Sequence, residues 1–168
     1  TAVLGALIVL PAVSSAEEWS WTLLKDISGG IEDSCQPDID INQADPFQLY
    51  AFVFPEGVLK SIDSGKNWKT VGLEGITSGM IATSPINPDV VFIRGSNPLE
   101  PDITLWKSID GGITWRGIES ISLNNVAFHP VDPSKMFAVT QDWLGGTLLS
   151  TDGGETWSIP QVNYIYPW

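Results

Sequence analysis

The side chains able to do chemistry are few and widely spaced. Glu100, Asp102, Glu119 and Asp142 fall in segments that read as loops or strand ends, and two carboxyl groups about 5–10 Å apart suffice for acid–base cleavage of a glycosidic bond. With 20 acidic residues in 168, such an assortment arises by chance, so no residue is assigned a catalytic role. Arg94 lies near the same loops, and Trp143 offers a plate for stacking on a sugar ring or for packing at a sheet edge. His129, within "FHPVDP", has no Ser or Cys partner in register and reads as a turn residue. "DIDIN", Asp38 to Asn42, begins like a D-x-D-x-N calcium loop, but Gln43 and Leu49 stand where that loop requires Gly and Glu. The segment therefore reads as a strand with Ile39 and Ile41 inward, and neither a metal nor another cofactor is expected.

What must position these residues is a repeat. "SIDSGKNW" (61–68), "SIDGGITW" (108–115) and "STDGGETW" (150–157) share one pattern. Aligning them also stacks Pro46, Pro88 and Pro133, with Ile39, Ile81 and Val126 ahead of them. The spacing is about 45 residues, the period of a four-stranded propeller blade. Each unit reads as strand A, an Asn/Asp-Pro turn, strand B, a variable loop, strand C, the shared box, then strand D. In the box, Asp63, Asp110 and Asp152 are placed to accept backbone N–H groups. Ser61, Ser108 and Ser150 open the pattern, while Gly65, Gly112 and Gly154 permit positive φ. Trp68, Trp115 and Trp157 start strand D and are expected to pack between blades. The fold expected is all-β, a partial β-propeller of three four-stranded antiparallel blades within a larger ring.

The pattern S-x-D-x-G-x-x-W resembles the Asp-box, or BNR repeat, of sialidases, sortilin-type receptors, xyloglucan-active glycoside hydrolases and photosystem II assembly-factor propellers. It covers Asp38 to Trp157 in three units. The resemblance implies a propeller with the boxes on the face away from any active site. It implies no single activity, because hydrolases, receptors and assembly factors share it. A sialidase would need three arginines around a carboxylate, whereas only Arg94 and Arg116 are present, and the register puts them at opposite ends of their strands.

Composition bounds the rest. Residues 1–16 are uncharged, with Ser14 and Ala16 at the small positions of a cleavage site, and read as a secretory signal peptide whose front is clipped. Residues 17–37 read as a ring-closing strand and linker, 38–75 as the first blade, 76–120 as the second, 121–161 as the third, and 162–168 as the start of a further blade. A net charge of −12 with only 8 Lys and Arg excludes nucleic acid as a partner. No membrane span is expected after signal removal, and the single Cys35 forms no disulfide within the chain.

The function expected is a secreted or periplasmic, non-catalytic scaffold. It would bind a protein or a glycan through the loops opposite the boxes, where Arg94, Glu100, Asp102, Glu119, Asp142 and Trp143 lie. The alternative is the amino-terminal part of a sialidase-like or xyloglucanase-like glycoside hydrolase, with catalytic residues partly in further blades. A photosystem-type assembly factor is a third reading on the same fold.

Overall fold

The computed structural model describes residues 38–119, 123–140 and 146–160. The leader, the ring-closing strand, Cys35, Asp142, Trp143 and the start of a further blade lie outside these residues. Among the described residues every regular element is a strand, and no helix is long and apolar enough to cross a membrane.

Three antiparallel sheets follow one another along the chain. The first contains β1 (Asp38–Ile41), β2 (Leu49–Val53), β3 (Gly57–Ser61) and β4 (Lys69–Thr70), in that order. The second contains β5 (Thr77–Thr83), β6 (Val91–Ser96), β7 (Ile103–Ser108) and β8 (Arg116–Glu119). In the third, β9 (Leu123–Phe128), β10 (Met136–Thr140) and β11 (Thr147–Ser150) pair, and the fourth strand is reduced to one bridge between Leu149 and Ser158. Three of the four expected strands are therefore regular there. Two backbone hydrogen bonds between Leu149 and Ser158 stand in for the other.

Alternation along the strands builds the array. In the middle sheet, Ile81, Val91, Ile93 and Trp106 point to one side and pack with Tyr50, Phe52 and Val58 of the first sheet. Ala82, Phe92, Leu105 and Ile118 point to the other side and pack with Leu123, Val126, Met136 and Ala138 of the third. Each side chain of Phe92 or Ile93 size contributes about 1.5–3 kcal/mol on full burial. The sheets are thus blades held face to face by two separate apolar seams.

The A–B turns are built by the same means three times. Asn42 Oδ1 accepts from the N–H groups of Ala44 and Asp45 (2.9 and 3.2 Å). Ser84 Oγ accepts from Ile86 and Asn87 (3.4 and 3.3 Å), and His129 Nδ1 from Val131 and Asp132 (3.3 and 3.1 Å). The residue before each proline then takes the next donor: Asp45 from Phe47, Asn87 from Asp89, Asp132 from Ser134. His129 is a turn cap, occupying the place of an Asn and a Ser in the other blades.

The alternation of "DIDIN" is real, but its aspartate face is the one turned toward the neighbouring blade. Asp38 and Asp40 each accept a hydrogen bond from the backbone of β5. Ile39 and Ile41 are half-buried on the other face, and Asn42 is fully buried because its amide also donates to Pro88 O (3.1 Å). Unpaired inward-facing N–H groups on β5 demand acceptors, which outweighs the apolar preference of isoleucine at that seam.

Close approach between blades fixes two glycines, Gly79, where a built Cβ would meet the Phe52 ring, and Gly154. Gly154 has φ +85°, and a Cβ built there would lie 2.6 Å from the Phe92 ring of the preceding blade. Gly154→Ala is expected to destabilise the protein by about 3 kcal/mol, from overpacking and left-handed strain together. Urea unfolding of the purified variant measures it.

Candidate functional site

The boxes form a hydrogen-bond knot repeated in each blade. The serine hydroxyl accepts the N–H of the box glycine, at 2.9 Å for Ser61 and Gly65, and 2.8 Å for Ser108 with Gly112 and for Ser150 with Gly154. The same hydroxyl donates to the aspartate Oδ1 at 2.8 Å in all three. That oxygen also accepts the N–H of the residue before the tryptophan, Asn67, Thr114 or Thr156 (2.8, 2.9 and 2.9 Å). The side chains of these three donate to the aspartate's second oxygen (2.6, 2.6 and 2.5 Å). Both carboxylate oxygens are therefore engaged within the turn.

Each knot is tied to the A–B turn of its own blade, and the second and third are also tied to the blade before. The box residue after the aspartate donates its N–H to the A–B turn of its own blade: Ser64 to Phe47 O, Gly111 to Asp89 O, Gly153 to Ser134 O (3.0, 2.9 and 2.8 Å). Lysines reach across the seams, Lys60 to Gly111 O (3.0 Å) and Lys107 to Gly153 O (2.8 Å). Each lysine stands over an aromatic ring, Tyr50 at 5.2 Å and Phe92 at 5.5 Å. Burial lowers the Lys60 ammonium below its ordinary pKa, and Asp89, Asp45 and Asp110 oppose that shift. Glu155 bonds Lys107 (2.7 Å) and Arg116, and these two hold its carboxyl below the ordinary range. In the third blade Leu149 occupies the lysine's place.

The tryptophans differ in partner. Trp115 Nε1 donates to Val71 O of the preceding blade (2.7 Å) and its ring joins the first seam. Trp157 packs on the second seam, and Trp68 donates to Gly65 O of its own box (2.9 Å).

The loop-face candidates within the described residues lie on β6, on the β6–β7 turn and at the end of β8. Arg94 sits within β6, opposite Met80 and Leu105, while Arg116 is held at the box end by Glu155. Glu119 ends β8 opposite Ile103. Glu100 and Asp102 are exposed in the β6–β7 turn, braced by Leu99 N–H to Asn97 Oδ1, Glu100 N–H to Asn97 O and Ile103 N–H to Glu100 O, each 3.0 Å. Leu99, at the tip of that turn, is 88% exposed. Among the described residues no group of three or more His, Cys, Asp and Glu is placed to hold a metal ion.

Sequence reasoning missed a cleft at the box end of the inner strands. It has a volume of about 440 Å³ and is lined by β1, β5 and β9, with Ile39, Ile81, Val126 and Phe128 as apolar wall and Asp40 and Thr83 as polar groups. The Asp40 carboxylate accepts from both the N–H and the hydroxyl of Thr83, each at 2.8 Å. The alternating carboxylates of "DIDIN" are the visible signal, since a strand with acids on one face needs donors opposite them.

A family model described as the BNR/Asp-box repeat matches residues 148–158. The chain carries Asp-box repeats on a propeller fold. No curated protein sequence matches it. Among solved structures, an ancestral GH74 enzyme superposes with TM-score 0.56 at 22% identity, covering 73% of this chain and 17% of that one. YCF48 from Cyanidioschyzon merolae gives 0.54 at 22% identity, over 73% of this chain and 38% of that one. A YCF48 bound to D1 peptide gives 0.52 at 16% identity, over 75% and 41%. At such identities the likeness is one of fold, and this Asp-box chain spans less than half the length of each.

The box carboxylates make stability acid-sensitive. Hydrogen bonds from Asn67, Thr114 and Thr156, respectively, are the leading cause that lowers Asp63, Asp110 and Asp152 from 3.8 to about 2. A depressed folded-state pKa contributes stability that is present above the unfolded value and lost as pH falls toward the folded one. The thermal midpoint is therefore expected to fall between about pH 4 and 2, and Asp110→Asn should lower it at pH 7 while narrowing that acid dependence. Ser108→Ala, which removes a buried acceptor from Gly112 N–H, should cost about 1–3 kcal/mol in urea unfolding. Ser64 has φ 60° where the other boxes have Gly111 and Gly153, so Ser64→Gly should gain about 0.5 kcal/mol.

Proposed function

We propose that this Asp-box chain is a non-catalytic binding scaffold, secreted or periplasmic, that holds a protein or glycan on the loops opposite its boxes. The observation that carries the reading is Leu99. A turn braced by three hydrogen bonds and flanked by Pro98 and Pro101, with a leucine 88% exposed at its tip, is preorganised for contact. The corresponding turn of the first blade, between Val53 and Gly57, is much shorter, so a constant scaffold carries variable loops. The YCF48 neighbour solved with D1 peptide supports a protein segment as one class of ligand for such a fold. The uncharged stretch Thr1–Ala16 supports export.

The second reading is part of a glycoside hydrolase, favoured by the GH74 neighbours, among them a xyloglucanase from Xanthomonas campestris. The test presents the full chain to peptide and oligosaccharide arrays. Capture of a ligand that Leu99→Asn weakens about tenfold or more, with an unchanged thermal midpoint, supports the scaffold. Hydrolysis of xyloglucan by the same protein would replace it with the hydrolase.

A further inference from the structure

The inner strands differ in a way that the loop-face reading does not use. In an antiparallel pair, residues opposite one another alternate between those that exchange main-chain hydrogen bonds with the neighbour and those that do not. Ser84 N–H donates to Val90 O and His129 N–H to Lys135 O, both at 3.0 Å, which fixes the phase of each ladder. By that phase the main-chain groups of Ile81 and Thr83 on β5, and of Val126 and Phe128 on β9, point away from β6 and β10 toward the inner cleft.

On β5 these donors are satisfied from the preceding blade. Asp38 Oδ2 takes Ile81 N–H and Asp40 Oδ2 takes Thr83 N–H, both at 2.8 Å. On β9 the residues of the preceding blade at the equivalent places are Met80 and Ala82, which carry no acceptor. Among the described residues nothing accepts the N–H of Val126 or Phe128. The cleft of about 440 Å³ lies against this edge, and Val126, Phe128, Ala82 and Thr83 all line it.

We propose that the inner edge of β9 receives an extended segment of a partner polypeptide, which adds a strand there and seats an apolar side chain in the cleft. Donors and acceptors on alternate residues recur about every 7 Å along a strand, the repeat of another extended backbone. An oligosaccharide has no such repeat of paired amide groups. The wall of Ile81, Val126 and Phe128 suits an apolar side chain at every second position. This edge is at the box end of the strands, so it is a site separate from Leu99 and independent of the loop-face reading.

The first measurement is amide hydrogen exchange on the full chain. Val126 and Phe128 should exchange at least about tenfold faster than Ile81 and Thr83. Protection of Val126 and Phe128 in dilute protein would mean that the chain covers its own edge, and protection that grows with protein concentration would mean a second copy does. Either overturns the proposal. The second measurement uses a displayed library of random octapeptides as probe. A selected peptide should protect the Val126 and Phe128 amides, and N-methylation at alternate positions should weaken it about tenfold while the intervening positions tolerate it. Met80→Asp, which offers Val126 N–H the carboxylate that Asp38 offers Ile81, should weaken the peptide similarly at an unchanged thermal midpoint, whereas Leu99→Asn should not affect it. No selectable peptide, N-methyl effects without alternation, or loss of binding in Leu99→Asn would each overturn it; the N-methyl series stands alone if Met80→Asp does not fold.

Discussion

A buried serine hydroxyl is the interaction on which the rest depends. Ser61, Ser108 and Ser150 are each about 1% exposed, and each hydroxyl receives the box glycine's N–H while giving its own proton to the aspartate. A hydroxyl can do both because it is donor and acceptor at once. With the aspartate so oriented, its two oxygens collect further donors of the turn. Only then is the N–H after the aspartate aimed at the A–B turn and, in the second and third boxes, the carbonyl of Gly111 or Gly153 aimed at the lysine of the neighbouring blade.

The two ends of the blades consequently have different physical characters. At the box end Asp63, Asp110 and Asp152 are held ionised by the hydrogen bonds of their own turns and serve structure. At the other end the β6–β7 turn leaves Leu99, Glu100 and Asp102 exposed to solvent or to a ligand. Chemistry and recognition are cheaper to vary where no knot would be undone. The inner edge of β9 departs from this division, since it lies at the knotted end and yet offers main-chain donors.

Much of this architecture is legible in the residues alone. The boxes, their glycines and the aligned prolines announce three blades because turn chemistry is local and a repeated turn must repeat its residues. The lesser partners leave a fainter trace, outside the S-x-D-x-G-x-x-W pattern: Asn67, Thr114 and Thr156 occupy one column, and all can donate to a carboxylate. The lysine contacts are harder to foresee, since Lys60 and Lys107 reach main-chain oxygens 51 and 46 residues away, and a carbonyl leaves no trace in residue identity. The inward face assigned to "DIDIN" is wrong for a related reason. Periodicity tells which residues share a face, and what lies opposite that face is a tertiary fact. Arg94 and Glu119 fall on the second and fourth strands of their blade, as the repeat places them.

The lysine contacts carry an evolutionary consequence. Their acceptors are main-chain carbonyls of the residue after the box aspartate, which every box has whatever that residue's side chain is. A blade copied or exchanged behind one that carries the lysine would therefore be met by it without any matching change of its own. Such a seam is generic in its polar contact and particular only in its apolar fit, as where Phe92 meets Gly154. That combination lets blade number drift by duplication while the packing between any two blades is refined afterwards.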